Sequence, residues 1–402
     1  MNIQPDSTTR QTFRRLRSML MFLLCTAFLA CGSLTAAEGV SPQDVDAFAD
    51  KLIAAVDDSD IAAFNELIDW NGILKEVCRL PESEKLDKAR KDFKVEFRKA
   101  TKTKDSICGA IIGTVELGGD YAMVHTGTEN GRPFVLFRLI LPDNGGVNFH
   151  KYFLIRGSDD LVVASDMYIY LSAEPLTDIF RRGWVPLARQ ILGDSDENAE
   201  QFLKNVEDQG KFFDLINKEM NEEALKLYAE FPEEIRQEKT ILIARMRAAQ
   251  RITPEEYAKS IQDIKKYHPD DASLDFLFID GYLLQDKFEE ALQCIDKTRE
   301  SVGGDAYLTL MRANVLTKMG KLEEAITALK EAEEEESDLQ SVYSLGLDIC
   351  LAAKEYDMTA AYLTKLEQDF GYTWKDLTTV DVFKDFTKSP QFEEWLKREK
   401  KK

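Results

Sequence analysis

Apolar positions along the chain repeat with two different periods, and the change from one to the other divides the sequence. From Ser41 to about Lys104 the spacing is helical: Val45, Phe48, Leu52, Ile53 and Val56 recur every three or four positions and would line one face. Ser41 followed by Pro42 suits a helix start, because Ser can cap a free N–H and Pro has none to leave unpaired. Further helices are expected near Ile61–Ile68 and over roughly Glu82–Thr101.

At Ile107 the period changes to two. Five β-rich runs follow: Ala110–Leu117, Tyr121–Thr126, Pro133–Leu141, Val147–Arg156 and Leu161–Leu171. Turn chemistry fills each gap, including Asn130-Gly131, a pair that supplies the positive φ angles of a tight hairpin. Connections this short force antiparallel pairing, so the runs form a meander. Phe149, Phe153 and Ile155 need a cover, which makes the unit α+β, with helices packed on a five-stranded antiparallel meander. A helix near Leu176–Leu192, carrying Arg181, Arg182 and Trp184, closes it. N-terminal helices followed by a curved antiparallel sheet, over residues 41–192, resemble the cystatin-like cone of the nuclear transport factor 2-like superfamily. The resemblance implies a cone of the kind in which relatives bind small molecules or isomerise steroids.

From about Glu200 the pattern is helical to the end of the chain, and it repeats. Ala224, Ala258, Ala291, Ala325 and Ala360 each precede an apolar run, at intervals of 34, 33, 34 and 35 residues. Local strings agree, as in Phe288-Glu-Glu-Ala291 and Leu322-Glu-Glu-Ala325. A small residue there lets two helices approach closely, with an aromatic or Leu wedged between them. The fullest copy, Tyr307–Ser337, has Ala313 at a first small position and Gly320 in the turn. Its neighbours put Ile279 or Leu347 at the small position, and Asp286 or Lys354 in the turn. These strings and the period resemble the tetratricopeptide repeat of exported bacterial proteins. Phe392, Trp395 and Leu396, after Ser389-Pro390, form a stripe able to seal the last repeat.

Composition narrows what such a protein does. Asp and Glu number 72 against 52 Lys and Arg, a net charge of −20, so nucleic acid or an anionic bilayer would be repelled by the surface as a whole. The first 37 residues read as a cleaved signal peptide: Arg10, Arg14, Arg15 and Arg17, an apolar core from Met19 to Ala30, then small residues up to Ala37. Two other readings are an uncleaved anchor over residues 18–37 and a lipoprotein box at Phe28-Leu29-Ala30-Cys31, and all three place the body outside the cytoplasm. The expected order is a signal peptide (1–37), an α+β cone-like domain (38–192), an acidic linker (193–200), helical repeats (201–372), and a capping helix with a basic tail (373–402). Cys78, Cys108, Cys294 and Cys350 form no disulfide framework by spacing and are expected as buried thiols, although Cys78 and Cys108 share one unit.

Motifs for catalysis are sparse. Neither a nucleotide-binding glycine loop nor HExxH or GxSxG occurs, and His125, His150 and His268 have no metal-ligand spacing, so no cofactor or metal is expected. The sheet offers one possible pocket. If the faces of two strands coincide, His150, Tyr152, Asp166 and Tyr168 would meet, with Asp166 as base and a Tyr as oxyanion donor; the alternative is a solvated face of a one-sided sheet. The tetratricopeptide resemblance implies a concave groove lined here by Phe276, Asp280 and Leu283; by Tyr307, Leu310 and Asn314; and by Ser344, Asp348 and Leu351. Of these only Asn314 fits a clamp for a partner's terminal carboxylate, and the two Asp oppose one, so the groove suits an apolar or basic protein or peptide segment. A non-enzymatic exported scaffold is the first expectation. A small-molecule-binding or isomerase-like cone, with the repeats as docking module, is the alternative.

Overall fold

The computed structural model describes residues 39–80, 83–104, 106–142, 145–157, 159–193, 199–269, 271–374 and 376–399. The proposed signal segment, and most of the acidic linker, lie outside the described residues. Contacts divide the chain into two compact units, one extending to Lys287 and the other beginning at Phe288.

The first unit opens with helices α1 (Pro42–Asp57), α2 (Ile61–Glu66), α3 (Trp70–Val77), α4 (Glu84–Ala100) and α5 (Ile107–Glu116). At the start of α1, Ser41 Oγ accepts from the Asp44 amide at 3.2 Å and Asp44 accepts from the Ser41 amide at 2.8 Å, a closed capping box. These bonds from Ser41, with Arg156 beside it, hold the Asp44 carboxyl below the usual carboxylate range.

The sheet follows: β1 (Asp120–Glu129), β2 (Arg132–Ile140), β3 (Val147–Arg156), β4 (Val162–Ile169) and β5 (Glu174–Pro175), antiparallel in sequence order. Asn130 and Gly131 take φ of 52° and 78°, the left-handed pair that the hairpin requires. Two corrections apply. Ile107–Glu116 is a helix, although its β-branched residues read as the first strand. Ser106 Oγ caps it through the Gly109 amide, and Cys108, Ile111 and Ile112 bury one face. A short apolar run is ambiguous by period alone, and packing against α1 and α2 decided it. The fifth strand is instead the two-residue Glu174–Pro175, paired with Tyr168 and Ile169.

Helix α6 (Leu176–Leu192) closes the sheet, with Trp184 fully buried against Phe93 and Phe180 edge-on to Phe97 at 4.6 Å. Arg181 donates to the Glu76 and Arg79 carbonyls at the end of α3, where free C=O groups attract a cation. The unit then continues through α7 (Ala199–Asn217), α8 (Asn221–Glu230), α9 (Glu233–Arg236), α10 (Lys239–Gln250), α11 (Pro254–Tyr267) and α12 (Asp275–Leu283). Lys239 ties this helical part to the sheet, donating to the Ala173 carbonyl at 2.9 Å and to Asp271 at 2.8 Å.

The second unit comprises α13 (Phe288–Ser301), α14 (Ala306–Lys318), α15 (Leu322–Glu335), α16 (Gln340–Ala353), α17 (Tyr356–Phe370) and, after short 3₁₀ turns, α18 (Pro390–Glu399). The helical region is repeat-like. Helices α8, α11, α13, α15 and α17 begin at 221, 254, 288, 322 and 356, so the interval is 33 once and then 34. The fourth residue of each is buried: Ala224, Tyr257, Ala291, Ala325 and Thr359. Tyr257 and Thr359 thus take the places expected of Ala258 and Ala360, which are only half-buried. Likewise the close approach of first helices is made at Gly281 and Gly346 rather than at Ile279 and Leu347. A Cβ on Gly346 would stand 2.8 Å from the Tyr362 ring and 2.9 Å from Leu329. Phe392 and Trp395 of α18 are buried, with Phe392 5.4 Å from Phe386, whereas Leu396 remains 36% exposed.

Candidate functional site

The inner face of the sheet carries a closed polar chain. Residues i and i+2 share a face, so Asn148, His150 and Tyr152 on β3 point the same way, toward the helices, and Tyr121 of β1 joins them. The two backbone amides of Phe149 and Leu171 occupy Asn148 Oδ1, which leaves Asn148 Nδ2 to donate to His150 Nε2 at 2.9 Å. The proton therefore sits on His150 Nδ1 and is donated to Tyr121 Oη at 3.1 Å. Tyr121 Oη and Tyr152 Oη share a further hydrogen bond at 2.7 Å. Tyr121, His150 and Tyr152 are at most 4% exposed. Burial pushes the His150 pKa down to about 3, so the ring is neutral, and pushes both phenols well above their ordinary range. The group is ordered and uncharged, a set of polar side chains satisfying one another in an apolar core.

Asp166 and Tyr168 lie on the other face. Phe153 stands opposite Asp166, and Lys151 opposite Tyr168, whereas Tyr152 stands opposite Met167. The expected pocket is therefore not assembled: His150 and Tyr152 meet, and Asp166 and Tyr168 are separated from them by the thickness of the sheet. Asp166 Oδ1 accepts from the Met167 amide at 2.8 Å and from the Thr177 amide at 3.2 Å, in the first turn of α6. Burial raises its pKa and takes the Tyr168 phenol up to about 12. This second face is not solvated. Leu136, Arg138 and Phe149 are nearly inaccessible, and β2 is buried from Pro133 to Ile140. The run of apolar residues from Pro133 to Phe137 in β2, with no alternation, was the signal for two-sided burial, since a one-sided strand alternates.

The groove positions divide in the same way. Phe276 is half-buried because it packs edge-on against Phe149 at 5.8 Å and Tyr170 at 6.2 Å. It serves the second face of the sheet instead of a free groove. Asp280 of the same helix is exposed and Leu283 half-buried. In the second unit Tyr307 and Leu310 are core residues, 4% and 1% exposed, so truncating them would damage the fold. Asn314 and Asp348 are exposed, with Ser344 and Leu351 half-buried beside Asp348 on α16.

No family model matches the chain, and no curated protein does either. The residues themselves must therefore supply the chemistry. His268 Nε2 donates to the Gln237 carbonyl at 3.0 Å, and the exposed His125 meets the Phe134 ring at 5.7 Å. Cys78, Cys108, Cys294 and Cys350 are buried thiols outside any disulfide, so Cys78 and Cys108 are not bridged. Among the described residues no group of three or more His, Cys, Asp or Glu could hold a metal ion, and no helix is long and apolar enough to cross a membrane. Sequence reasoning missed Tyr121 and Asn148, although polar residues at i, i+2 and i+4 of a buried strand signal an internal network. It also missed a cavity among α8–α11, whose lining comes from four helices with no shared motif.

Proposed function

We propose that the chain is an exported, non-enzymatic scaffold of the tetratricopeptide type, whose helical repeats hold a basic segment of a protein or peptide partner. One observation carries this reading: Asn314 and Asp348 recur 34 residues apart at the same place on successive first helices, both exposed and both polar. A row with acidic character offers a repeating contact to Lys or Arg, and half-buried Leu351 and Ser344 add a partly apolar border. The signal-like residues 1–37 support export, and the order of helices and sheet supports a cone related to the nuclear transport factor 2-like superfamily. The catalytic cone is the weaker alternative, because Asp166 and His150 sit on opposite faces of one sheet.

The test is fluorescence anisotropy of the full chain against a library of Lys- and Arg-rich labelled peptides at low and high salt. Peptides selected at low salt are expected to bind about tenfold more weakly after Asp348→Lys, since charge reversal turns attraction into repulsion. Unchanged affinity would remove the groove from the proposal.

A further inference from the structure

A cavity of about 370 Å³ opens in the first unit among α8, α9, α10 and α11, away from the sheet's polar chain. Its wall is built around Arg245, which is only 4% exposed. The guanidinium lies 4.9 Å over the Tyr228 ring, bonds Asp263 at 2.5 Å and has Glu256 at 4.0 Å. A cation this deeply placed is held by its ring and its carboxylates, and its geometry is fixed in advance of any ligand. Asp263 is satisfied by this pairing, whereas Glu256, at the limit of ion-pair distance and half-buried, keeps acceptor capacity.

Two further cations line the same cavity, Arg236 and Lys259, and among the described residues neither forms an ion pair. Arg236 Nε is buried with no hydrogen-bond partner. Among the described residues these two cations keep N–H donors that no carboxylate takes up. The lining thus offers positive groups for a carboxylate, a partly engaged carboxylate for an ammonium, and the aromatic rings of Tyr228 and Tyr267 for an apolar middle. A zwitterion satisfies both ends without bringing net negative charge to an acidic protein. The volume lies at the small end of ligand cavities and fits an amino acid or a dipeptide.

We propose that this cavity binds a free amino acid or dipeptide as its zwitterion, with Arg236 and Lys259 receiving the carboxylate and Glu256 the ammonium. This site is independent of the repeat groove and stands or falls separately from it.

Isothermal titration calorimetry of the full chain tests it, using the twenty common L-amino acids and their glycyl dipeptides as titrants. At least one is expected to saturate one site per chain with Kd below about 1 mM. The N-acetyl and C-amide derivatives of that titrant should each bind at least about tenfold more weakly. Lys259→Ala and Glu256→Gln, both at accessible positions, should weaken binding by a similar factor while the far-ultraviolet circular dichroism is retained. Absence of saturation by every titrant would overturn the proposal. Equal binding of the blocked derivatives, or affinity unchanged in both variants, would also overturn it.

Discussion

His150 shows how a single side chain can look catalytic in a sequence and be structural in the fold. Its ring accepts from Asn148, donates to Tyr121 and is sealed from water, so protonation would place an uncompensated charge in the core. With a folded pKa near 3 against about 6.5 unfolded, the unfolded chain binds the proton first as pH falls. The stability that depends on neutral His150 is therefore complete above about pH 6.5 and is lost progressively down to about pH 3. The slope from this group is at most about 1.4 kcal/mol per pH unit. Urea unfolding at several values from pH 7 to 4.5 should show that decline, and His150→Gln should flatten it. Exposed His125 is unchanged in the comparison, and ordinary carboxylates titrate mostly below the window. A variant with the wild-type slope would show that the ring is already protonated in the fold. Asp166 makes the same point with the opposite charge: a plausible general base in sequence, it accepts two backbone amides and starts a helix.

At the scale of elements, the turns before four of the five second helices share one geometry, the turn before α11 being the exception. Glu219, Asp286, Gly320 and Lys354 each lie two residues before such a helix, and each has φ between 54° and 75°. Only Gly320 adopts this left-handed conformation without a steric penalty from Cβ. Replacing exposed Lys354 by Gly should stabilise the protein by about 0.5–1 kcal/mol, measured by denaturant midpoint at unchanged m-value. Destabilisation would mean that the Lys354 side chain contributes more than the backbone strain costs. The same geometry helps explain why the helix starts recur at a regular interval despite irregular letters. What recurs in all five is a buried fourth position, joined in four of them by a left-handed turn residue, and Thr359 or Tyr257 can fill that position as Ala does. Element identity was least legible at Ile107–Glu116, where six apolar residues in ten read as the first strand and fold as a helix.

For the molecule as a whole, the sheet is a layer buried on both sides within the first unit. Phe276 is one of the side chains responsible, since it meets Phe149 and Tyr170 on the face opposite the polar chain. Phe276→Ala should lower stability by about 1–3 kcal/mol, less than for a fully enclosed ring because Phe276 is half-buried. Hydrogen exchange should quicken selectively in α12 and at the end of β4, while α1 on the inner face keeps its protection. If α12 amides exchange as in the wild type, the ring contacts are incidental to how that helix is held. The division of the chain at Phe288 follows from the same contacts: α7–α12 belong with the sheet even though their helical period continues into the second unit.

Local chemistry in the sequence was enough to determine the α+β-then-helical order, the Asn130-Gly131 hairpin, the Ser41 cap and a helical period near 34, because turns, caps and periodicity act between residues a few positions apart. Strand register, the burial of a second sheet face, the helical state of Ile107–Glu116 and the convergence of Arg236, Arg245 and Lys259 on one cavity were decided by tertiary structure. Each of these depends on which distant surface covers a residue, and a shift of one position along a strand exchanges one face of the sheet for the other.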